Sequence, residues 1–376
     1  MTRWFRHSTR VALIALALLV CTTPAVLARK GQESIEQKTR GMQKKDGLLP
    51  LYWDSGAGKL YMEVPRLGEE LIYVTSLVTG LGSNDIGLDR SQLGGERIVL
   101  FERVGPRVLL VQPNYRFRAE SVNEDERRAV EESFARSVLW GFELTAETDG
   151  RVLVDATAFA IRDAHGAIGT LKRTGQGEYE LDASRSVMYL PGTKGFRRNT
   201  EIEVSLTFTG DDPGPWVRDV APAPQALTVR QRHSFVALPE PGYRPRVSDP
   251  GGGFFGIEYA DYATPIREPI LKRFISRHRL KKKDPSAAMS DPVAPIVYYL
   301  DRGAPEPIRS ALLDGARWWN RAFEAAGYRN AFQVQLLPEG ADPMDVRYNV
   351  IQWVHRATRG WSYGAGVIDP RTGEIL

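Results

Sequence analysis

Through the first two-thirds of the chain, apolar residues recur at every second position or in short unbroken runs, a spacing that predicts β-strands. Such runs fall at 59–64, 71–75, 97–101, 108–112, 152–155, 179–182, 201–208 and 227–231. Turn signals separate many of them, among them Asp54-Ser55-Gly56, Gly105-Pro106 and Asp149-Gly150. One helical pattern interrupts at 125–140: Glu124, Asp125 and Glu126 suit the positive end of a helix, and Val130, Phe134 and Val138 recur at four-residue spacing. Residues 48–238 are therefore predicted to form a β-rich domain, a sandwich or a strongly curved sheet. The polar stretch 29–47 has little to bury and reads as a linker or flexible arm.

From 239 to 294 Pro and Gly become frequent, which marks a connecting region. A basic helix is predicted at 269–283. Its Lys272, Arg273, Arg277, Arg279 and Lys281 to Lys283 suggest a solvated face, or a clamp on acidic residues of a neighbouring domain. The run Gly251-Gly252-Gly253-Phe254-Phe255-Gly256 lacks the Lys-Ser/Thr of a phosphate-binding loop and reads as a flexible joint. Residues 295–376 change character. A strand at 296–300 precedes a long helix at 308–326, with Leu312, Ala316, Trp319 and Phe323 on one face. Strands at 332–336, 346–353 and 364–368, a turn at 369–373 and the start of a return strand follow. This order describes an α/β sheet under one helix whose other face stays uncovered, so the chain is expected to be the front part of a longer protein.

The first residues carry an export pattern. Arg3, Arg6 and Arg10 precede the uncharged apolar run 11–20, and Val26 and Ala28 place small residues ahead of a cut before Arg29. Residues 1–28 thus read as a signal peptide, with a retained anchor or a lipidated Cys21 as the alternatives. The apolar run is about half of the roughly 20 residues a membrane span needs, so no stable span is expected after cleavage. Cys21 is the chain's single cysteine, which excludes disulfides and thiol catalysis from the mature form. Loss of the three arginines takes the formal charge from +4 to about +1, too little for general attraction to nucleic acid.

Candidate chemistry is sparse. No His-Glu-x-x-His occurs, and His165, His233, His278 and His355 are too scattered to form a zinc helix, so each reads as a surface or packing histidine. Gly360-Trp361-Ser362-Tyr363-Gly364 has the spacing of a nucleophile elbow around Ser362 but lacks the following helix. Asp163 and His165 sit beside Gly166 in a turn.

Six segments in order resemble one family. They are Leu77-Val-Thr-Gly-Leu-Gly-Ser-Asn-Asp-Ile-Gly-Leu-Asp-Arg90, Gln112-Pro-Asn-Tyr-Arg-Phe-Arg-Ala119, Arg277-His-Arg-Leu-Lys-Lys-Lys-Asp-Pro285, Pro295-Ile-Val-Tyr-Tyr-Leu-Asp301, Trp318-Trp-Asn-Arg-Ala-Phe-Glu-Ala-Ala-Gly327 and Asp369-Pro-Arg-Thr-Gly-Glu-Ile375. The family is that of large secreted bacterial zinc-dependent metalloproteases with a metzincin-like catalytic unit. The resemblance implies that 295–376 is the incomplete upper subdomain of that α/β unit. It also implies a periplasmic, secreted or envelope location and a peptide or protein substrate. The family's zinc helix comes after the hairpin on which this chain ends, so no zinc ligand or catalytic residue is carried over. Zinc is expected in the full-length protein, and neither zinc nor activity in these 376 residues alone. Gly364, Ala365, Gly366, Val367 and Ile368 resemble the edge strand that accepts substrate as an antiparallel neighbour. The rival expectation is a non-enzymatic envelope scaffold or a peptide- or glycan-binding module, the glycan form requiring Tyr52, Trp53 and Tyr61 exposed along one face.

Overall fold

The computed structural model describes residues 33–358 and 360–376; the expected signal peptide and Cys21 lie outside them. In chain order the strands to residue 237 are β1 (Gln43–Lys45), β2 (Leu51–Asp54), β3 (Lys59–Val64), β4 (Leu71–Leu77), β5 (Arg97–Val104), β6 (Arg107–Gln112), β7 (Phe117–Arg118), β8 (Ser137–Thr148), β9 (Arg151–Asp155), β10 (Glu180–Leu181), β11 (Val187–Met188), β12 (Lys194–Gly195), β13 (Asn199–Thr209) and β14 (Ala226–Ala237). All but β7 join one antiparallel sheet in the order β1-β2-β3-β9-β8-β6-β5-β4-β14-β13-β10, with β11 and β12 also paired to β13.

The sheet curls until its ends meet. Leu48 N donates to Phe196 O at 2.9 Å and Leu49 N to Thr200 Oγ1 at 2.9 Å. Gly47 and Gly195 lie backbone to backbone there, since a Cβ on Gly195 would fall 2.0 Å from Asp46 O. The β-rich region is thus a nearly closed barrel, the curved-sheet form of the expectation. Period-two alternation fills its interior: Ile202, Val204, Leu206 and Phe208 of β13 face Leu60 and Met62 of β3 and Val99 and Phe101 of β5 in one core.

Two segments of this region depart from the sequence expectation. From Glu33 onward the expected arm is part of the fold, because helix α1 (Ile35–Lys38), closed by a capping box between Ser34 and Gln37, buries Ile35 against Tyr52, Tyr61, Ala146 and Leu153. Two apolar residues, Ile35 and Met42, in a polar stretch were too weak a signal to predict this. The helix expected at 125–140 stops early as α2 (Glu124–Ser133), and Val138 and Trp140 belong to β8. Phe134 leaves the helix to stack on Phe117, with ring centroids 4.0 Å apart.

Three short helices plug the barrel: α3 (Thr157–Ala160), α4 (Ala167–Arg173) and α5 (Pro215–Val220) bring Phe159, Leu171 and Val217 into the core. Phe159 touches the rings of Tyr73, Phe142 and Phe235. Truncating such a residue to Ala costs about 3–5 kcal/mol.

The connecting region carries β15 (Gly256–Asp261), β16 (Leu271–Ile275) and β17 (Arg277–His278). This corrects the basic helix at 269–283, because β15 offers an edge on which Glu258 and Arg273 pair in register at 2.6 Å and Phe274 packs on Tyr259. Next, β18 (Ile296–Leu300), the helices α6 (Ile308–Arg317) and α7 (Trp319–Ala325), β19 (Phe332–Leu336) and β20 (Asn349–Ile351) form a parallel sheet in the order β19-β18-β20. The predicted helix is present with a junction at Trp318. Trp319, placed on its inward face from the sequence, is 64% exposed, whereas Phe323 stacks on Phe332. The last strand, β21 (Glu374–Ile375), pairs parallel with β17.

Candidate functional site

The residues predicted to accept a peptide lie on a run held at both ends by the barrel. At the upstream end, Asp89 and Arg356 form a two-pronged pair, Nε to Oδ1 at 2.9 Å and Nη2 to Oδ2 at 2.8 Å. Their side chains are only 3% and 6% exposed. Arg356 also donates to Trp361 O, and its guanidinium lies 5.0 Å from the Trp361 ring centroid. Around it Ala357 N donates to Gly82 O at 2.7 Å, Arg90 reaches Trp353 O and Asp301, and Ser91 Oγ donates to Gln352. The loop 78–92 can take this shape because Gly80 lets its backbone approach Leu88, where a Cβ would sit 2.4 Å from Leu88 O.

At the downstream end the predicted turn at 369–373 is present. Asp369 N donates to Glu374 O, Leu376 N donates to Val367 O, and Ile368 bridges Ile375. The buried Asp369 carboxylate accepts from Arg371 N, Nε and Nη2. Arg371 then donates to Glu70 at 2.8 Å, and Arg118 donates to Pro370 O and Arg371 O. The carboxylates of Asp369 and Glu70 outweigh desolvation and hold the Arg371 pKa above its usual value. Burial raises the Tyr115 phenol, which donates to Glu70. Val367 and Leu376 pack on Ile72, Ile98 and Val236 of the barrel's outer face.

Between these anchors the expected strand is shorter than predicted. Val367 and Ile368 make the hairpin pairing, while Gly364, Ala365 and Gly366 are exposed and make no backbone hydrogen bond among the described residues. Among the described residues no barrel strand pairs with them to complete a ladder. The fold itself does not demand glycine here. Neither Gly364 nor Gly366 has a left-handed φ; a Cβ on Gly364 would meet nothing within 4 Å, and one on Gly366 would make only an ordinary contact with Ile375 at 3.6 Å.

The other candidates fall elsewhere. Ser362 is exposed, with no histidine hydrogen-bonded to it among the described residues. Asp163 caps α4, accepting from the N–H groups of Gly166, Ala167 and Ile168. His233 is fully buried: its Nδ1 lies 2.8 Å from Tyr73 Oη and its Nε2 3.0 Å from Ala160 O. Desolvation and the nearby Arg162 push its pKa down to about 3. Tyr52 and Tyr61 are buried under α1, and Trp53 packs on the barrel core, so the exposed aromatic face required for glycan binding is overturned. Among the described residues no three of His, Cys, Asp and Glu converge to hold a metal.

Sequence reasoning missed the anchors. Asp89 and Arg356 stand 267 residues apart, a separation that leaves no local pattern. The available signal was indirect: the segments 77–90, 112–119, 277–285 and 369–375, singled out only for their resemblance, all supply contacts to this C-terminal run.

Residues 91–283 match the family model described as a domain of unknown function, DUF5117. The chain belongs to the DUF5117 family. No curated protein and no solved structure matches it. The DUF5117 match takes in β5 to β17, whereas β1 to β4, which complete the barrel, and the run 352–376 lie outside the matched range.

Proposed function

We propose that this chain is the non-catalytic frame of an exported zinc-dependent peptidase, and that Gly364, Ala365, Gly366, Val367 and Ile368 receive an extended peptide by strand addition. One observation carries the reading. A side-chain-poor stretch whose N–H and C=O groups at 364–366 make no backbone hydrogen bond among the described residues lies between the buried Asp89–Arg356 pair and the partly buried Asp369–Arg371–Glu70 group, while the fold itself has no need of glycine at 364 or 366. Extended ligands dock on such stretches through backbone hydrogen bonds, with small side chains allowing close approach. Supporting it are the six segments resembling zinc metalloproteases and the parallel β19-β18-β20 sheet with its α6–α7 crossover.

The described residues offer no donor set for zinc. The resemblance puts its ligands outside these 376 residues. The role of this chain is then to bind and align the peptide.

The test is hydrolysis of casein peptides by the full-length gene product, with and without a zinc chelator, for wild type and Gly366→Val. Chelator-sensitive cleavage with a KM raised at least fivefold in the variant, at similar kcat, is the expected result. An unchanged KM refutes strand addition. Hydrolysis that the chelator leaves intact, or none at all, refutes the peptidase reading.

A further inference from the structure

Behind the C-terminal hairpin lies an open pocket of about 670 Å³, within the usual range for small-molecule sites. Tyr243, Arg244, Arg246, Arg277, Arg279 and Lys281 line it. Its wall is built by the Pro-rich segment before β15 folding against β17. The Tyr243 ring lies 4.7 Å from the Arg277 guanidinium and 5.8 Å from that of Arg279, and Arg277 donates to Arg244 O. Arg279 is fixed by Glu374 at 2.7 and 2.8 Å and by Pro241 O.

The charges do not balance. Against the five cations stand Glu374, paired with Arg279, and Glu240, whose charge also acts on Arg279. Among the described residues Arg244, Arg246, Arg277 and Lys281 have no acidic partner, and Arg277 Nε is buried without a hydrogen-bond acceptor. The fold thus assembles about three uncompensated positive charges around a cavity, with a buried donor left over. A buried donor without a partner is costly unless a ligand satisfies it.

We propose that this pocket binds an anion bearing two phosphate groups. Each phosphate monoester carries about −1.5 to −2 at neutral pH, so two of them match the local excess. Arginine forks suit phosphate oxygens. Two phosphate groups side by side occur in a soluble diphosphate and, as phosphodiesters of lower charge, in a two-phosphate lipid headgroup. The proposal is independent of the peptidase reading.

The experiment titrates the purified exported chain with inorganic pyrophosphate by calorimetry at low salt, with citrate as the carboxylate comparison. In a second arm it sediments the protein with vesicles of cardiolipin and phosphatidylcholine, or of phosphatidylcholine alone. Arg244→Gln/Arg246→Gln is the test variant, since neither side chain makes a hydrogen bond or ion pair among the described residues; Arg267→Gln, outside the pocket, is the control. The expected result is saturable pyrophosphate binding at least tenfold tighter than citrate, weakened at least tenfold in the double variant at unchanged Tm and retained in the control. Cardiolipin-dependent sedimentation lost in the double variant upholds the site with a lipid as its ligand. Binding in neither arm, equal affinity for citrate, or binding unaffected by the double variant overturns it.

Discussion

Breaking the Asp89–Arg356 pair should loosen the run that carries Gly364 to Ile368 more than any single change within that run. Arg356→Met strands the Asp89 carboxylate, only 3% exposed, and removes the bond to Trp361 O and the guanidinium beside the Trp361 ring. An isolated buried charge of this kind costs about 3–5 kcal/mol. Asp89→Asn keeps one acceptor for Arg356, and its cost should be smaller, about 2–3 kcal/mol. The double change Asp89→Asn/Arg356→Met leaves no orphan charge, so it should cost less than the sum of the singles. Urea titration followed by tryptophan fluorescence gives the global values. Hydrogen exchange at Ala357 N, which donates to Gly82 O, reports local release of that run. Strictly additive costs, or singles each below about 1 kcal/mol with unchanged exchange at Ala357, would refute the assignment of this pair as the anchor.

Two buried groups make the stability depend on pH in opposite directions. Glu201, which accepts from Asn199 and Ser234 and faces Arg232 and Asp342, has its pKa pushed up to about 7 by desolvation. Because this exceeds its ordinary 4.5, the unfolded chain holds fewer protons between those values, and stability falls by up to about 3 kcal/mol as pH rises from 4.5 to 7. Glu201→Gln should flatten that limb in urea titrations at pH 5 and 8; a slope equal to wild type would count against it. His233, held near 3, does the reverse: its contribution is complete above pH 6.5 and is lost as pH falls towards 3, on the order of 5 kcal/mol. His233→Gln can still accept from Tyr73 and donate to Ala160 O, so it should remove the acid-side loss between pH 6 and 4. An unaltered acid midpoint would show that another group sets it.

The long strands were legible because their interiors are regular. Ile202, Val204, Leu206 and Phe208 alternate with polar neighbours along β13, and that period survives whatever packs around it. Legibility failed where a partner decides the outcome. In β8 the register shifts opposite Leu110 and Val111, and Val138 is exposed, so alternation is broken and Phe134 and Val138 carry the spacing of Val130 past the true end of α2. Along β16 the density of Lys and Arg favoured a helix face, and only the β15 edge makes the stretch extended. At the candidate site the small residues 364–366 were visible in the chain. The ion pairs that hold them were not, because electrostatic partners hundreds of residues apart obey no period.

The barrel's seam has a consequence for how the chain matures. Residues 46–49 close against 195–200, some 150 positions later, so the first strands have no finishing partner until most of the barrel sequence is available. Contacts of such separation form slowly. As the chain is synthesised from its amino terminus, β2 and β3 emerge with their inward faces bare and wait for β12 and β13 to arrive. The interval before the seam closes is when this molecule is most exposed to aggregation and to chaperone or protease surveillance.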